Sequence, residues 1–211
     1  MVIEFALATL ISLMAIVNPM GAVTNYVALT SDYTLKEKKR VIKKAVAVAL
    51  IVLIVFGLLG HVIFDFLNIT VPGFRVAGGI VLFIIAMDMV QGKTPGSKLN
   101  KKEKAENLEK DQVGVIPLGV PLLAGPGSIT TVMIAVSDSS ENFLVSVLVV
   151  SGCIALVMIL AYLVLRNSDK IFDRLGRTGT KIFSRIMGLL LAAIAIQFIA
   201  DGIKGLFPIL G

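Results

Sequence analysis

Two short stretches hold the residues best placed to do chemistry: Asn18-Pro19-Met20-Gly21 and Gly125-Pro126-Gly127-Ser128. Each sets a proline inside an apolar run. An interior proline removes a helical hydrogen bond and clashes with the preceding turn, so each stretch predicts a helix that stops and restarts. Asn18 reads as the N-cap of the first restart, with Pro19 at its first position. Gly125 and Pro126 take the same places in the second, and Ser128 adds a hydroxyl in the first turn. A restarted helix presents unbonded N–H groups and the positive end of its dipole. The helix before it ends in unbonded carbonyls, here around Ile16-Val17 and Leu123-Ala124. The chemistry favoured is recognition of a small zwitterion, with its carboxylate on N–H groups and its ammonium on carbonyls. Gly21, Ala22 and Gly127 leave room without opening a large pocket, and Asn18, Thr24, Asn25, Ser128, Thr130 and Thr131 supply hydrogen bonds nearby.

Other chemistry is poorly served. The single histidine, His61, cannot supply a metal cluster or a Ser-His-Asp triad, and the single cysteine, Cys153, cannot form an intramolecular disulfide. Ser128 has no base and acid to activate it as a nucleophile. No nucleotide-binding motif is present. The expectation is a protein that is not an enzyme and needs no cofactor or metal. Asp88 is an ionisable group in an apolar run, which makes it a candidate to carry a proton or help hold a coupling cation such as sodium. The competing reading is that it pairs with a basic group near the end of its span. Gln197 is a candidate for the same interface, one position off the symmetry mate of Asp88. Arg75 and Arg185 read as anchors at span ends.

The elements that would position these groups are membrane helices. Of the 211 residues, 56% are hydrophobic and 16% charged, with a mean hydropathy of +0.92; soluble domains run near 25% charged. A span needs about 20 mostly apolar residues. Six are read: about Val2–Leu29, interrupted at Asn18-Pro19; Ala45–Leu67; Phe74–Val90; Val113–Val136, interrupted at Gly125-Pro126-Gly127; Phe143–Leu165; and Ile182–Phe207. None alternates as a barrel strand would. The N-terminal run carries Glu4 and no basic residue before it, so it reads as a first span rather than a cleaved signal.

Charge sets the orientation. All but three of the 20 Lys and Arg fall in alternate loops, at 36–44, 93–110 and 166–181. The positive-inside rule places these loops in the cytoplasm and both termini outside, in a plasma (inner) membrane. The net charge of +6 is thus spent on topology and gives no reason to expect nucleic acid.

The chain also repeats itself. Pro19 and Pro126 lie 107 positions apart, and Thr24 and Thr131 share that offset. At an offset of 110, Arg75 falls on Arg185, Gly78 on Gly188, Ile84 on Ile194 and Gly92 on Gly202. Three spans per copy is odd, so the second copy enters upside down. The expected organisation is all-α: an inverted 3+3 repeat with broken helices 1 and 4, residues 1–91 and 113–211, joined by a charged cytoplasmic linker at 92–112.

At the two breaks the sequence resembles the MarC family of membrane proteins, also called the neutral amino acid transporter family. The resemblance rests on Asn18-Pro19-Met20-Gly21-Ala22 and Pro121-Leu122-Leu123-Ala124-Gly125-Pro126-Gly127-Ser128-Ile129. Arg75-Val76-Ala77-Gly78-Gly79, Arg185-Ile186-Met187-Gly188-Leu189-Leu190 and Gln197 also fit it. It implies a six-span fold and transport of small neutral amino acids such as alanine and glycine. The resulting expectation is a secondary transporter working by alternating access, coupled to a proton or sodium ion through Asp88. Its partners would be a small zwitterionic amino acid and membrane lipid, with a homo-oligomer left open. The alternative is a passive channel, or an exporter of another small solute.

Overall fold

The computed structural model describes residues 2–92, 113–137 and 142–207. Among them the regular elements are all helical: α1 (Val2–Val17), α2 (Pro19–Leu29), α3 (Leu35–Leu67), α4 (Val71–Val90), an irregular helical segment (Gly114–Leu123), α5 (Pro126–Ser137), α6 (Phe143–Arg166) and α7 (Ser168–Leu206). The linker expected at 92–112 lies outside the described residues apart from Gly92.

Among the described residues, five stretches are long and apolar enough to cross a bilayer: Val2–Leu29, Leu35–Leu67, Val71–Val90, Phe143–Arg166 and Thr178–Leu206. The span expected at about Val113–Val136 has a different construction. It consists of the irregular segment followed by α5, whose 12 residues give about 18 Å of helix. Ile116 and Val120 adopt extended dihedrals inside the segment (φ −128°, ψ 124° and φ −132°, ψ 125°). Each directly precedes a proline, Pro117 and Pro121, and the residue before a proline is pushed out of the α region.

Local signals set the other boundaries. Thr34 and Glu37 cap α3 reciprocally: the Thr34 N–H donates to the Glu37 carboxylate at 2.7 Å and the Glu37 N–H to the Thr34 hydroxyl at 3.4 Å. The 33 residues of α3 make about 50 Å of helix, against a hydrocarbon core of about 30 Å. Its lysine-rich first turns therefore extend past that core. Helix α7 is divided at Gly176, whose φ of 64° and ψ of −175° belong to a region open essentially to glycine alone. The Thr180 hydroxyl donates to the Gly176 carbonyl at 3.0 Å.

The most extensive interface joins α4 to α7, which run antiparallel. Glycines bring their backbones together. A methyl carbon on Gly79 would lie 2.9 Å from the Ala195 carbonyl oxygen, one on Gly188 3.0 Å from the Ala86 carbonyl oxygen, and one on Gly202 2.7 Å from the Pro72 carbonyl oxygen. Gly92 faces the Arg185 guanidinium, and Gly202 packs between Pro72 and Val76, either side of Arg75. Elsewhere α3 packs on the irregular segment, α5 and α6, while α1 and α2 pack on α6 and α2 also on α7. The principal core is accordingly shared: Leu13, Val23 and Tyr26 meet Ala49 and Leu53 of α3 and Ile154 and Val157 of α6. Exposed Ile51, Val55, Leu58 and Val62 on α3 and Leu144, Leu148 and Ile159 on α6 form the apolar outer wall.

The starts of α3 and α7 lie at one end of the bundle. Lys38 donates to both carboxylate oxygens of Asp169, at 2.9 and 3.0 Å. The Tyr26 hydroxyl donates to the Lys38 carbonyl at 3.2 Å.

Candidate functional site

The first interruption centres on Asn18. The Asn18 N–H still donates to the Met14 carbonyl at 3.1 Å, which completes α1. Its backbone then turns to φ 42°, ψ 65°, the left-handed region that asparagine enters more readily than most residues. The side chain folds forward, and its Oδ1 accepts from the Gly21 N–H at 3.1 Å. That leaves no room for a Cβ at Gly21, which would collide with the Asn18 amide and lie 3.1 Å from the Ser184 Oγ of α7.

At the second interruption Ser128 ties the chain ends together. Its hydroxyl accepts from the Gly125 N–H at 3.2 Å and donates to the Leu123 carbonyl at 3.1 Å. Both Ser128 and Leu123 are buried. The Ile129 N–H reaches the Gly125 carbonyl at 3.0 Å, and Pro126 has no N–H to give. The N–H groups of Gly127 and Ser128 remain at the start of α5, as a helix N-terminus requires. One turn further on, Thr131 is 2% exposed and its hydroxyl has no hydrogen-bond partner among the described residues. Thr131 follows Gly127 by four residues and shares its helix face, with a Cα–Cβ bond tilted toward the N-terminus.

The two interruptions meet. A methyl carbon on Gly127 would lie 3.3 Å from Cγ2 of Ile16, in the last turn of α1. The last turn of α1 thus packs beside the first turn of α5, which brings the carbonyl end of one helix near the N–H end of another. The remaining wall comes from α4: the same carbon would lie 2.5 Å from Leu82 Cδ2 and 3.6 Å from Ile85 Cδ1.

The candidate residues divide around this junction. Asn18, Pro19, Gly21, Gly125, Gly127, Ser128 and Thr131 sit at the interruptions, while Pro126 is exposed and half-buried Asn25 stands one turn beyond Gly21. Thr24 is engaged elsewhere, its hydroxyl donating to that of Thr180 at 3.1 Å. Gln197 is exposed and donates to Asp201, one turn along α7, at 2.7 Å. Asp88 is half-buried near the end of α4 and already has a polar or electrostatic partner. Sequence reasoning missed Leu82, Ile85 and Ser184. Apolar residues within apolar spans carry no pattern, and Ser184 is recognisable only once α7 is seen against α2.

Comparison with known proteins agrees with a multi-pass membrane fold. Residues 3–207 match the family described as MarC family integral membrane protein. A UPF0056 membrane protein of Methanocaldococcus jannaschii is 40% identical over 206 residues, covering 96% of this chain and 98% of the relative. The UPF0056 membrane protein YvbG of Bacillus subtilis is 37% identical over 212 residues, covering 100% and 99%. YhcE of Escherichia coli, also a UPF0056 membrane protein, is 37% identical over 199 residues, covering 94% and 91%. No solved structure matches the chain. With its apolar helices, its two interruptions and a match along nearly its whole length, this chain belongs to the MarC family of integral membrane proteins.

Proposed function

We propose that this protein is a secondary transporter of small neutral amino acids, of the alanine and glycine class, working by alternating access. The observation that carries the reading is the junction of the α1 carbonyl end with the α5 N–H end beside Ile16 and Gly127. An amino acid zwitterion has complementary ends. Its carboxylate takes the Gly127 and Ser128 N–H groups and the Thr131 hydroxyl, which is buried and otherwise unpartnered. Its ammonium takes carbonyls at the end of α1.

In this reading the interruptions at Asn18 and Gly125 are the breaks of helices 1 and 4 in an inverted 3+3 repeat. The antiparallel α4–α7 pair supports it. Gly92 packs on Arg185, while its repeat mate Gly202 packs on Pro72 and Val76, the α4 stretch that contains Arg75; a two-fold axis in the membrane plane would bring such stretches together reciprocally. The Lys38–Asp169 ion pair brings two of the basic stretches to one end, in keeping with cytoplasmic basic loops and both termini outside. The substrate crosses chemically unchanged. Asp88 is the first residue to test for proton or sodium coupling.

Counterflow tests the reading. Proteoliposomes are loaded with unlabelled alanine and given trace labelled alanine outside. Transient accumulation that unlabelled glycine suppresses is the expected result. Absence of accumulation with folded, inserted protein refutes amino acid transport. Flux that never saturates and shows no counterflow would mark a channel.

A further inference from the structure

A carboxylate held by the Gly127 and Ser128 N–H groups fixes where the rest of its molecule goes. The α-carbon is bonded directly to the carboxylate carbon, so the side chain lies within a few ångströms of the first turn of α5. Three side chains wall that turn: Leu82 and Ile85 from α4 and Ile16 from α1. All are apolar, and Leu82 is 0% exposed. They stand close for a backbone reason. Gly78, Leu82 and Ile85 share one face of α4, at i, i+4 and i+7. The missing side chain of Gly78 lets the Thr130 side chain seat directly on α4. Leu82 is thereby pressed over Gly127, as a movable apolar ceiling closed onto a polar floor.

We propose that Leu82, with Ile85 beside it, is the specificity-determining residue that limits the transported solute to a small apolar side chain. The proposal rests on the carboxylate site described above. A ceiling of this kind rejects by volume. A methyl carbon on Gly127 would already lie 2.5 Å from Leu82 Cδ2, so the Leu82 side chain must swing aside a little for alanine and much further for a branched side chain.

The experiment measures counterflow of labelled alanine into proteoliposomes with glycine, alanine, valine or leucine as competitor. It uses the unaltered chain, Leu82→Ala, Leu82→Val and the double variant Gly127→Ala/Leu82→Ala. Leu82→Ala is expected to strengthen competition by valine relative to alanine about ten-fold or more, the scale of discrimination that a methylene or two provides. Leu82→Val is expected to shift it less, in the same direction. The double variant puts a methyl back into the vacated space and returns the preference toward alanine. Should Leu82→Ala not fold, judged by its melting in detergent, Leu82→Val decides alone. An unchanged valine-to-alanine ratio in a folded variant that still transports alanine overturns the proposal. Absence of alanine counterflow in the unaltered chain overturns the carboxylate site itself.

Discussion

Thr131→Val separates stability from function at the junction with one substitution. The two side chains share a branched shape, so the change removes a hydroxyl and little else. That hydroxyl is buried and has no hydrogen-bond partner. Burying such a group costs about 1–3 kcal/mol in mutational data. Polar interactions inside membrane proteins sit at the low end of their expected range, so the variant should gain about 1 kcal/mol of stability. The effect on transport has the opposite sign. A hydrogen bond to a charged partner is worth about 1.5–3 kcal/mol, and losing one from a bound carboxylate raises KM by roughly ten- to a hundred-fold. Thermal melting in detergent measures the first effect, and counterflow at graded alanine concentrations the second. A variant that melts below the unaltered protein while keeping its KM would refute the reasoning, because the hydroxyl would then be a structural group satisfied within the fold.

Ser128→Ala should behave in the reverse way. It orphans the Gly125 N–H and the Leu123 carbonyl, at a cost of about 2–4 kcal/mol, and a melting temperature equal to that of the unaltered protein would contradict this. Gly176→Ala meets no neighbour, so its expected loss of about 1–3 kcal/mol comes from the backbone at φ 64° alone; chemical or thermal unfolding reads it, and no loss would mean that α7 straightens freely. Lys38→Ala breaks an ion pair whose side chains are 17% and 49% exposed, so stability should move by less than about 1 kcal/mol. Melting at low and high salt checks this, and a large loss insensitive to salt would point to packing instead.

Much of the architecture was legible because lipid demands long apolar runs and because prolines mark boundaries. Val71–Val90 and Phe143–Arg166 follow directly from hydropathy. The stop at Val17 follows from an asparagine able to turn left-handed in front of a proline. The irregular path of Gly114–Leu123 was less legible, although Ile116-Pro117 and Val120-Pro121 contain its cause. The length of the apolar run reads there as a continuous span, while the dihedral restriction before each proline prevails in the fold. Thr24 and Thr131 share the 107-residue offset of the two prolines, yet tertiary contacts give them different fates: one bonds Thr180 and the other keeps an unused hydroxyl. Gln197 was chosen by its register, but it lies on an exposed face of α7 with Asp201 within reach. Leu82 left no trace in the sequence, because its importance comes only from what lies opposite.

The shared core has a consequence for how the protein is made. Gly79 on α4 packs against Ala195 and Ile199 on α7, so its partner surface is translated roughly ten seconds later at ordinary rates of synthesis. During that interval α4 is inserted, helical and surrounded by lipid, with a glycine-lined face that its α7 partner does not yet cover. Helices are stable in a bilayer before they associate, so the nascent chain tolerates the wait. A chain halted before α7 does not reach a half-built fold, since the first half never owned a core to close. Quality control acting on exposed small-residue faces would see every stalled product as unfinished, and assembly would complete in one late step when α7 arrives.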